Sequence, residues 1–385
     1  MIKRDLYKKI KPYLKSKEAI IITGMRRVGK TTLLNHIYSQ IKSKNKLFID
    51  LENPIDQKLF EENDYKNIKK SLISMGLDFQ KKAYLFLDEI QSVKTMPSVV
   101  KYFIDHYKVK FFLTGSASFY LKNLFSESLA GRKYIFELFP FNFNEFLKAK
   151  KIKIKFNTNI TKPIFEKLSN LYKEYLEFGG FPDVIFKKTK KEKKKSLEDV
   201  FTSYFQMEVK QLSDFKKINK FRDLMLLLLE RIGNKLDVQK LSQELGISRS
   251  IIYDYLSFLE DTYFIKLIRP FSKSRDVEIR SVPKIYVCDS GLANNLGQIS
   301  RGSLFEQAVF QSLRIKGELN YYQRKSGAEI DFILNKEKAY EVKLTPVKSD
   351  LIKFKNLSRK INIKHLKIVC LNYSSLPLTI YGFEL

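Results

Sequence analysis

Short apolar runs alternate with amphipathic segments in the first part of the chain. Four runs have the length and the β-branched or aromatic content of buried strands: residues 19–23, 47–54, 84–87 and 110–118. Three segments between them have helical periodicity: residues 30–43, 66–77 and 97–107. Strands that alternate with helices predict an α/β fold, in which a parallel sheet carries helices on both faces.

The pattern changes in the second half of the chain. Residues 238–261 predict a helix, a turn at Gly246-Ile247-Ser248 and a second helix. The run "TYFIKLIRPFSK" at 262–273 resembles a two-stranded wing. Together these segments predict a winged helix.

An amphipathic helix and a hairpin follow near the C-terminus. Residues 303–315 have helical periodicity, and "GAEIDFILNKEKAYEVKL" at 327–344 has two apolar runs around a polar turn at 335–338. Such a pattern is typical of a β-hairpin.

Composition adds a globular class and a strong charge. A chain of 385 residues with 44% apolar residues predicts two or three folded domains. The formal net charge is +29, from 71 basic and 42 acidic residues, which favours DNA or RNA as a partner. Codon bias toward A and T, together with solvated lysine-rich helices, explains the same charge without any such partner.

The chain has no apolar run of eighteen or more residues, so we expect no membrane contact. Its first residues lack the apolar core of a signal peptide. Cys288 and Cys370, like the three histidines, form no zinc or disulfide spacing. These features predict a cytoplasmic protein.

The stretch "EAIIITGMRRVGKTTLL" at 18–34 contains a phosphate-binding loop between a strand and a helix. Lys30 would reach the β- and γ-phosphates of ATP, and the Thr31 hydroxyl would bind Mg²⁺. Glycines let the backbone amides approach the phosphate oxygens. We expect nucleotide contacts from Gly24, Arg26, Arg27, Val28, Gly29, Lys30, Thr31 and Thr32.

Two further strands end in polar residues suited to ATP hydrolysis. "YLFLDEIQ" delivers Asp88, which fits a ligand of Mg²⁺, and Glu89, which fits the base that polarises the attacking water. Thr114 and Ser116, at the end of the next strand, would sense the γ-phosphate.

Arg132 lies between that strand and the last one of the predicted sheet. It is the expected arginine that stabilises the transition state, in cis or, in a homo-oligomer, in trans. Alternatively it pairs with Glu137 or Glu145. Arg26 and Arg27 are candidates for the same role, or they face solvent.

The motifs occur in an order that resembles a known family. "TGMRRVGKTTLL", "LFLDEIQ", "LTGSAS", "LAGR" followed by "PFNFNEFL", and "GGFP" together resemble predicted ATPases of archaea and bacteria, on the AAA/STAND side of the P-loop class, with a nuclease-like C-terminal domain. The expected domains are a P-loop ATPase core at 1–160, a helical lid at 161–220, a winged helix at 221–273 and a restriction-endonuclease-like α/β domain at 274–385.

Two functions are open for the winged helix. Its second helix would contact DNA through Arg249, Ser250 and Tyr253. That helix also carries acidic residues, Asp254 among them, which match phosphate poorly. By resemblance to related ATPases, it would instead pack on the nucleotide core and report its state.

The hairpin can form a metal site only in one register. Glu341 and Lys343 share a face, since side chains alternate along a strand. Asp331 joins them if it lies opposite Glu341, which needs an odd loop such as 335–337 with Asn335 in the left-handed conformation. Glu306 is a further candidate ligand, although Ser303 and Glu306 also fit a helix capping box.

The order of an acid and then Glu-x-Lys resembles the restriction-endonuclease-like core. By that resemblance Asp331, Glu341 and Glu306 would hold Mg²⁺, and Lys343 would orient the attacking water. Ile330 stands where the motif usually has proline. The sequence therefore leaves two functions open: an ATPase that drives a nuclease, or a nucleotide-dependent switch whose C-terminal domain binds a partner without cutting it.

Overall fold

The computed structural model describes residues 2–116, 129–154, 160–209, 218–272, 274–324 and 326–385. The last two residues of the predicted strand at 110–118, which end the motif "LTGSAS", lie outside this set. Contacts divide the chain into two compact units. The first unit comprises Met1–Phe139 and Asp261–Tyr263, and the second comprises Pro140–Glu260 and Phe264–Leu385. Within the described ranges, no helix combines the length and the apolar character needed to cross a membrane.

The first unit contains the predicted parallel sheet. Its strands are β1 (Ala19–Thr23), β2 (Lys46–Asp50), β3 (Ala83–Asp88), β4 (Val109–Gly115) and β5 (Lys133–Glu137). They lie in the order β2-β3-β4-β1-β5, and each neighbouring pair is parallel. The carboxyl ends of all five strands therefore meet at one edge of the sheet.

Helices cover both faces of this sheet. The first unit has the helices Leu6–Ile10, Lys30–Gln40, Pro54–Glu61, Tyr65–Ser74 and Met96–His106, with 3₁₀ turns at Lys11–Tyr13 and Ile90–Ser92. Alternate strand residues such as Ile21 and Leu85 share a buried cluster with Phe60 and Phe103. On the other face, the ring of Tyr38 packs against that of Phe86, with 5.1 Å between the ring centroids.

The structure corrects the predicted strand at 47–54. The strand ends at Asp50, and a helix begins at Pro54 after Asn53, whose side chain accepts from the Ile55 amide at 3.1 Å. Proline suits the first helical position because its missing N–H needs no partner there. The apolar run alone did not reveal this helix start.

The second unit begins with helices and continues to a two-stranded sheet. Its helices before that sheet are Phe143–Ala149, Lys162–Phe178, Pro182–Ile185, Lys190–Tyr204, Ile218–Glu230, Val238–Leu245 and Arg249–Asp261, with a π-helical turn at Phe205–Val209. The predicted turn between the last two helices is present, with Gly246 in the left-handed conformation at φ 63°.

The predicted wing is wrong in its second strand. Of the predicted wing, the described residues 262–272 contain one strand, β6 (Ile265–Ile268), which pairs in an antiparallel manner with β7 (Lys284–Val287). Pro270 has no N–H for a ladder, and a helix at Arg275–Arg280 lies between the two strands. The predicted boundary at residue 273 therefore divides a sheet.

The rest of the second unit is a mixed sheet with helices. Its strands are β8 (Leu319–Gln323), β9 (Glu329–Leu334), β10 (Lys338–Lys343), β11 (His365–Cys370) and β12 (Thr379–Tyr381), in the order β12-β11-β10-β9-β8. β8, β9 and β10 are antiparallel neighbours, and β10, β11 and β12 are parallel neighbours. The helices are Ser290–Leu296, Arg301–Arg314 and Lys348–Lys360, with a 3₁₀ turn at Gly382–Glu384.

The hairpin between β9 and β10 has the register that the metal site requires. Leu334 lies opposite Lys338 and Phe332 lies opposite Tyr340. The loop is the predicted three residues, with Asn335 at φ 51° and Lys336 at φ 60°. The structure therefore meets both conditions that the metal site set, the odd loop and the left-handed asparagine.

The capping-box explanation for Glu306 is wrong. The helix begins at Arg301, and Ser300 is its cap, because the Ser300 hydroxyl accepts from the Ser303 amide at 3.1 Å. Glu306 consequently lies beyond the first turn of the helix, where the backbone amides have intrahelical acceptors and need no carboxylate.

Glycines allow a close backbone contact around Asp289. The Asp289 carboxylate accepts from the Gly180 amide at 2.8 Å and from the Gly291 amide at 2.9 Å. A Cβ on Gly180 would lie 2.1 Å from the Phe141 carbonyl oxygen, and a Cβ on Gly291 would lie 2.2 Å from that of Phe178. The "GGFP" turn is thus a packing element of the second unit.

We predict that Gly180→Ala and Gly291→Ala each destabilise the second unit by about 1–3 kcal/mol or more, because the added methyl meets backbone that cannot rotate away. The matched control is Gly302→Ala, where the nearest atom would lie 3.6 Å from the new Cβ. Calorimetric unfolding checks this. Equal transition temperatures for Gly180→Ala and Gly302→Ala would contradict it.

Candidate functional sites

The phosphate-binding loop leaves β1 at the carboxyl edge of the sheet. Gly24 has φ 148°, and a Cβ there would lie 2.1 Å from the Leu138 carbonyl oxygen. Gly29 caps the following helix in the left-handed conformation at φ 92°, and Lys30 is its first residue. The first amides of a helix have no intrahelical acceptor, so they are available to an anion.

Lys30 lies inside the loop. It is 4% exposed, and its Nζ donates to the carbonyl oxygens of Gly24 at 3.2 Å and Met25 at 3.3 Å. The Glu89 carboxylate lies 3.8 Å from the same nitrogen. A buried ammonium at this place suits phosphate oxygens.

Arg4 positions the loop and was missed by the sequence analysis. Its guanidinium donates to the carbonyl oxygens of Val28 at 2.7 Å and Phe139 at 2.6 Å. Val28 itself is buried, so its contribution to a nucleotide is through the backbone. A lone arginine near the start of the chain gave no signal of this contact.

The other predicted loop residues lie nearer the surface. The Arg26 guanidinium lies 3.7 Å from the Glu52 carboxylate, so Arg26 pairs rather than merely facing solvent. Arg27 is exposed at φ 64°, and Thr32 is exposed in the first turn of the helix.

Asp88 is held by hydroxyl groups at the end of β3. It is 2% exposed, and Thr114 and Thr31 both hydrogen bond to its carboxylate. Burial raises the pKa of Asp88, and these two hydroxyls oppose that rise only in part. A hydroxyl beside a carboxylate at a sheet edge is a donor set that fits Mg²⁺.

Thr114 therefore has a more specific place than the predicted phosphate sensor. Its hydroxyl donates to Asp88 and accepts from the Glu89 amide at 3.1 Å. It joins the two acids at the point where Glu89 takes the left-handed conformation, φ 53°. Such a backbone conformation in a residue other than glycine is uncommon and is often found at functional sites.

Glu89 is held by Lys30 and by Gln91, which the sequence analysis did not single out. The Gln91 amide donates to the Glu89 carboxylate and, at 3.0 Å, to the Ser116 hydroxyl. Burial acts to raise the pKa of Glu89, but the Lys30 ammonium and the Gln91 amide outweigh it and lower that pKa. Ser116 thus contacts Glu89 both directly and through Gln91. A glutamine two residues after Glu89 was the sequence feature that could have indicated this contact.

The structure corrects the position predicted for Arg132. It precedes β5, which pairs with β1 along its full length, so Arg132 lies at the amino edge of the sheet. The loop at 24–31 follows the carboxyl edge, about 16 Å away at ~3.3 Å per residue. The Nε of Arg132 donates to the Asp105 carboxylate at 2.8 Å, so Arg132 pairs with Asp105 rather than with the expected Glu137 or Glu145. Arg132 cannot reach the γ-phosphate of its own chain.

The second candidate site is the carboxylate pair of the C-terminal hairpin. Asp331 accepts from the Val342 amide at 2.7 Å, and Glu341 accepts from the Lys343 ammonium at 2.7 Å. Both acids are more than nine-tenths buried. The second carboxylate oxygen of Glu341, Oε2, is buried and makes no hydrogen bond within the described structure. A buried acceptor of this kind fits a cation.

Glu306 approaches this pair together with residues that the sequence analysis missed. Its Oε1 accepts from the Tyr286 hydroxyl at 2.5 Å and lies 3.8 Å from the Lys284 ammonium. The same ammonium lies 3.1 Å from Glu329, whose other oxygen accepts from Gln323 at 3.1 Å. Lys284 lay outside the motif, so no local pattern pointed to it.

The carboxylates disturb one another's ionisation. Burial, followed by repulsion from Asp331, raises the pKa of Glu341 to about 8 and that of Glu306 to about 7. Burial also raises the pKa of Asp331, against the opposing charges of Lys284 and Lys343. Their negative charge is therefore incompletely balanced.

A cleft of about 390 Å³ opens beside this site and is lined by Glu329, Glu341, Lys343 and Lys353 among others. In the part of the chain that the structure describes, no three His, Cys, Asp or Glu side chains converge as a ready metal-binding group. Two carboxylates with one orphaned oxygen fit Mg²⁺, which usually takes only one or two protein carboxylates.

The residues predicted to contact DNA lie on an open face. Arg249 and Ser250 are exposed, as is Asp254, and Tyr253 is 60% exposed. The apolar face of the same helix, including Ile252 and Leu256, is buried.

Three family models match the chain in succession. Residues 16–147 match an AAA domain. Residues 169–303 and 301–382 match two domains of unknown function, DUF8612 and DUF4143. The AAA match covers the parallel sheet and its phosphate-binding loop.

Similar proteins in other organisms are uncharacterized. One from Methanocaldococcus jannaschii is 29% identical over 403 residues, covering 100% of this chain and 86% of that protein. One from Haemophilus influenzae is 25% identical, covering 98% of this chain and 93% of that protein.

Two solved structures show a weak likeness to this chain. The Aeropyrum pernix ORC1 protein in complex with DNA is 11% identical, with a TM-score of 0.31, covering 81% of this chain and 93% of that one. AMPPCP-bound DnaA from Aquifex aeolicus is 14% identical, with a TM-score of 0.27, covering 66% and 86%. At these values neither neighbour informs on what this chain binds. The sheet order, the loop and the matched model together make the first unit an AAA-type P-loop domain.

Proposed function

We propose that this chain hydrolyses ATP in its first unit and acts on DNA or RNA through a metal-dependent, nuclease-like site in its second unit. The observation that carries the first part is the bridge made by Thr114 between Asp88 and Glu89. The observation that carries the second is the register that brings Asp331 opposite Glu341.

ATP hydrolysis needs charge neutralisation and an oriented water. Lys30 and the first amides of the helix at Lys30–Gln40 would bind the β- and γ-phosphates. Mg²⁺, held by Thr31 and Asp88, would neutralise charge on the phosphate oxygens. Glu89 has a lowered pKa, so it is ionised at neutral pH and suited to accept a hydrogen bond from the attacking water.

Arg132 would serve in trans. Its side chain is 39% exposed and at the amino edge of the sheet, where a second copy of the chain could present its own nucleotide. This role requires a homo-oligomer. An arginine so placed would have to leave Asp105 on assembly, which costs little for an exposed ion pair.

The second unit would cleave a phosphodiester. Asp331 and Glu341 would hold Mg²⁺, which would stabilise charge on the leaving oxygen. Lys343 lies beside Glu341 in the cleft, where its ammonium would orient the water or bind a phosphate oxygen. We further propose that the segment from Val238 through β7 forms a winged helix and that the helices before it form a lid.

The alternative is a nucleotide-dependent switch. It is favoured by the two ammonium groups of Lys284 and Lys343, which already neutralise part of the carboxylate charge without any metal. In that case the second unit would bind a partner and leave it intact.

We predict that Lys30→Ala lowers Mg²⁺-dependent phosphate release from ATP by about 10²–10³-fold, because a charge aimed at the transferred phosphate is lost. The matched control is Lys44→Ala, which removes an exposed lysine of the same unit. Equal rates for the two variants, with nucleotide and with or without DNA, would refute ATP hydrolysis at this loop.

Thr114→Val, a change of similar size, removes the bridge between the two acids. We expect a 10- to 100-fold lower turnover with ATP affinity nearly unchanged, since about 1–3 kcal/mol of positioning is lost. Thr95→Val is the control, because the Thr95 hydroxyl bonds the Phe60 carbonyl instead. Turnover and nucleotide titration measure both effects. A change in affinity alone would assign Thr114 to binding.

Glu341→Gln should lower the cleavage of labelled DNA or RNA by at least about 100-fold, because the charge that holds the cation is lost. Glu337→Gln, in the exposed loop of the same hairpin, should cleave as the wild type does. Gel assays with Mg²⁺ or Mn²⁺, with and without ATP, decide this. No cleavage by the wild type, beside intact ATP hydrolysis, would support the switch.

A further inference from the structure

Lys284 is a buried ammonium among carboxylates. Its side chain is 4% exposed, and Nζ lies 3.1 Å from Glu329 Oε1 and 3.8 Å from Glu306 Oε1. Its pKa is raised: burial acts to lower it, and the charges of Glu306, Asp331 and Glu329 overcome that effect. Burying an unpaired charge would be costly, so these acids act as its counter-ions.

Glu306 is held toward β7 by more than one group. Lys284 and Tyr286 share one face of β7 because side chains alternate along a strand, and both contact Glu306 Oε1. Gly233 leaves room on another side, where a Cβ would lie 3.1 Å from the same oxygen. The carboxylate of Glu306 is thus engaged by β7.

Asp331 and Glu341, the two acids of the hairpin, make different contacts from those of Glu306. Glu341 Oε2 is buried and makes no hydrogen bond within the described residues. Asp331 uses Oδ2 to accept from the Val342 amide at 2.7 Å, and the charges of Lys284 and Lys343 also act on its carboxylate. Glu341 pairs with Lys343 through Oε1 alone and keeps Oε2 for a cation. By contrast, Lys284 and Gln323 contact the two oxygens of Glu329, and Tyr286 and Lys284 both contact Glu306 Oε1.

We propose that Lys284 is a positioning residue that withholds Glu306 and Glu329 from the cation, so that Asp331 and Glu341 supply the carboxylate oxygens. The proposal rests on the metal-binding part of the proposed function. It corrects the expected third ligand, Glu306. A site with two carboxylates leaves coordination positions for water and for a substrate phosphate, which is the arrangement that Mg²⁺ usually takes.

The first test compares two variants of equal charge. Mn²⁺ binding to the full-length chain without nucleotide is measured from the electron paramagnetic resonance signal of free Mn²⁺. Glu341→Gln should weaken Mn²⁺ binding by at least about 100-fold through loss of a ligand. Glu306→Gln should weaken it by at most about tenfold, through lost charge alone. Equal losses in the two variants would overturn the proposal.

The second test asks whether Lys284 is what withholds Glu306. In a Lys284→Met chain, Glu306 keeps the hydrogen bond from the Tyr286 hydroxyl but loses the ammonium beside it, which frees its other oxygen for the cation. Glu306→Gln should then weaken Mn²⁺ binding by at least about 100-fold. Lys284→Arg keeps the charge and should restore the small effect. The same small effect of Glu306→Gln in the Met and wild-type chains would make Lys284 merely structural and overturn the proposal.

The experiments distinguish the assignment of the metal ligands from an effect on folding and from a lack of nuclease activity. If Lys284→Met does not fold, the comparison of Glu306→Gln with Glu341→Gln still decides the ligand set, since both retain Lys284. A chain that binds Mn²⁺ in the expected pattern but cleaves nothing would refute the nuclease and leave this assignment intact. Mn²⁺ binding that is independent of Asp331 and Glu341 would overturn the assignment.

Discussion

A carboxylate that leaves water must gain a positive charge or hydrogen-bond donors, and both candidate sites are built on that constraint. In the first unit, hydroxyls hold Asp88, while Lys30 and Gln91 hold Glu89. These contacts exist because β1, β3 and β4 end at the same edge of a parallel sheet. The fold thereby brings together residues that are far apart in sequence, and the phosphate-binding loop lies at the same edge.

The two units meet the constraint to different degrees. In the first, Glu89 is stabilised as a carboxylate, and its pKa is lowered. In the second, burial, followed by repulsion from Asp331, raises the pKa of Glu341 to about 8 and that of Glu306 to about 7, and the nearby ammonium groups do not fully compensate. On the proposed function, a divalent cation would supply the missing positive charge. Lys284 would then limit which of the acids can reach that cation.

The sequence predicted features that depend on neighbouring residues. The bounds of β1 and the helix–turn–helix follow from local periodicity and turn chemistry. The same turn chemistry permitted, without requiring, the hairpin register with left-handed Asn335. The cap at Ser300 was missed because two serines three residues apart both precede the same apolar helix. Here the local signal was ambiguous.

Other features depend on contacts between distant segments. The partner of Arg132 is set by which edge of the sheet β5 begins on, and the partner of β6 lies beyond an intervening helix. Lys284 reaches Glu306 and Glu329 only because β7 packs beside the helix at Arg301–Arg314, where Gln307 bonds the Val287 backbone. None of these pairings has a sequence period, so the candidate ligand set could be named from the sequence but not ranked.

We propose that Asp331 and Glu341 form a cation site whose ligands differ from those of the nucleotide site. The most direct test is anomalous diffraction from crystals of the full chain grown with Mn²⁺ and a non-hydrolysable ATP analogue. We predict one Mn²⁺ peak beside Thr31 and Asp88 and a second at an ion bound by Asp331 and Glu341. The Glu306 carboxylate should remain beside the Lys284 ammonium. The absence of density at the hairpin, or a peak bound by Glu306, would contradict the account.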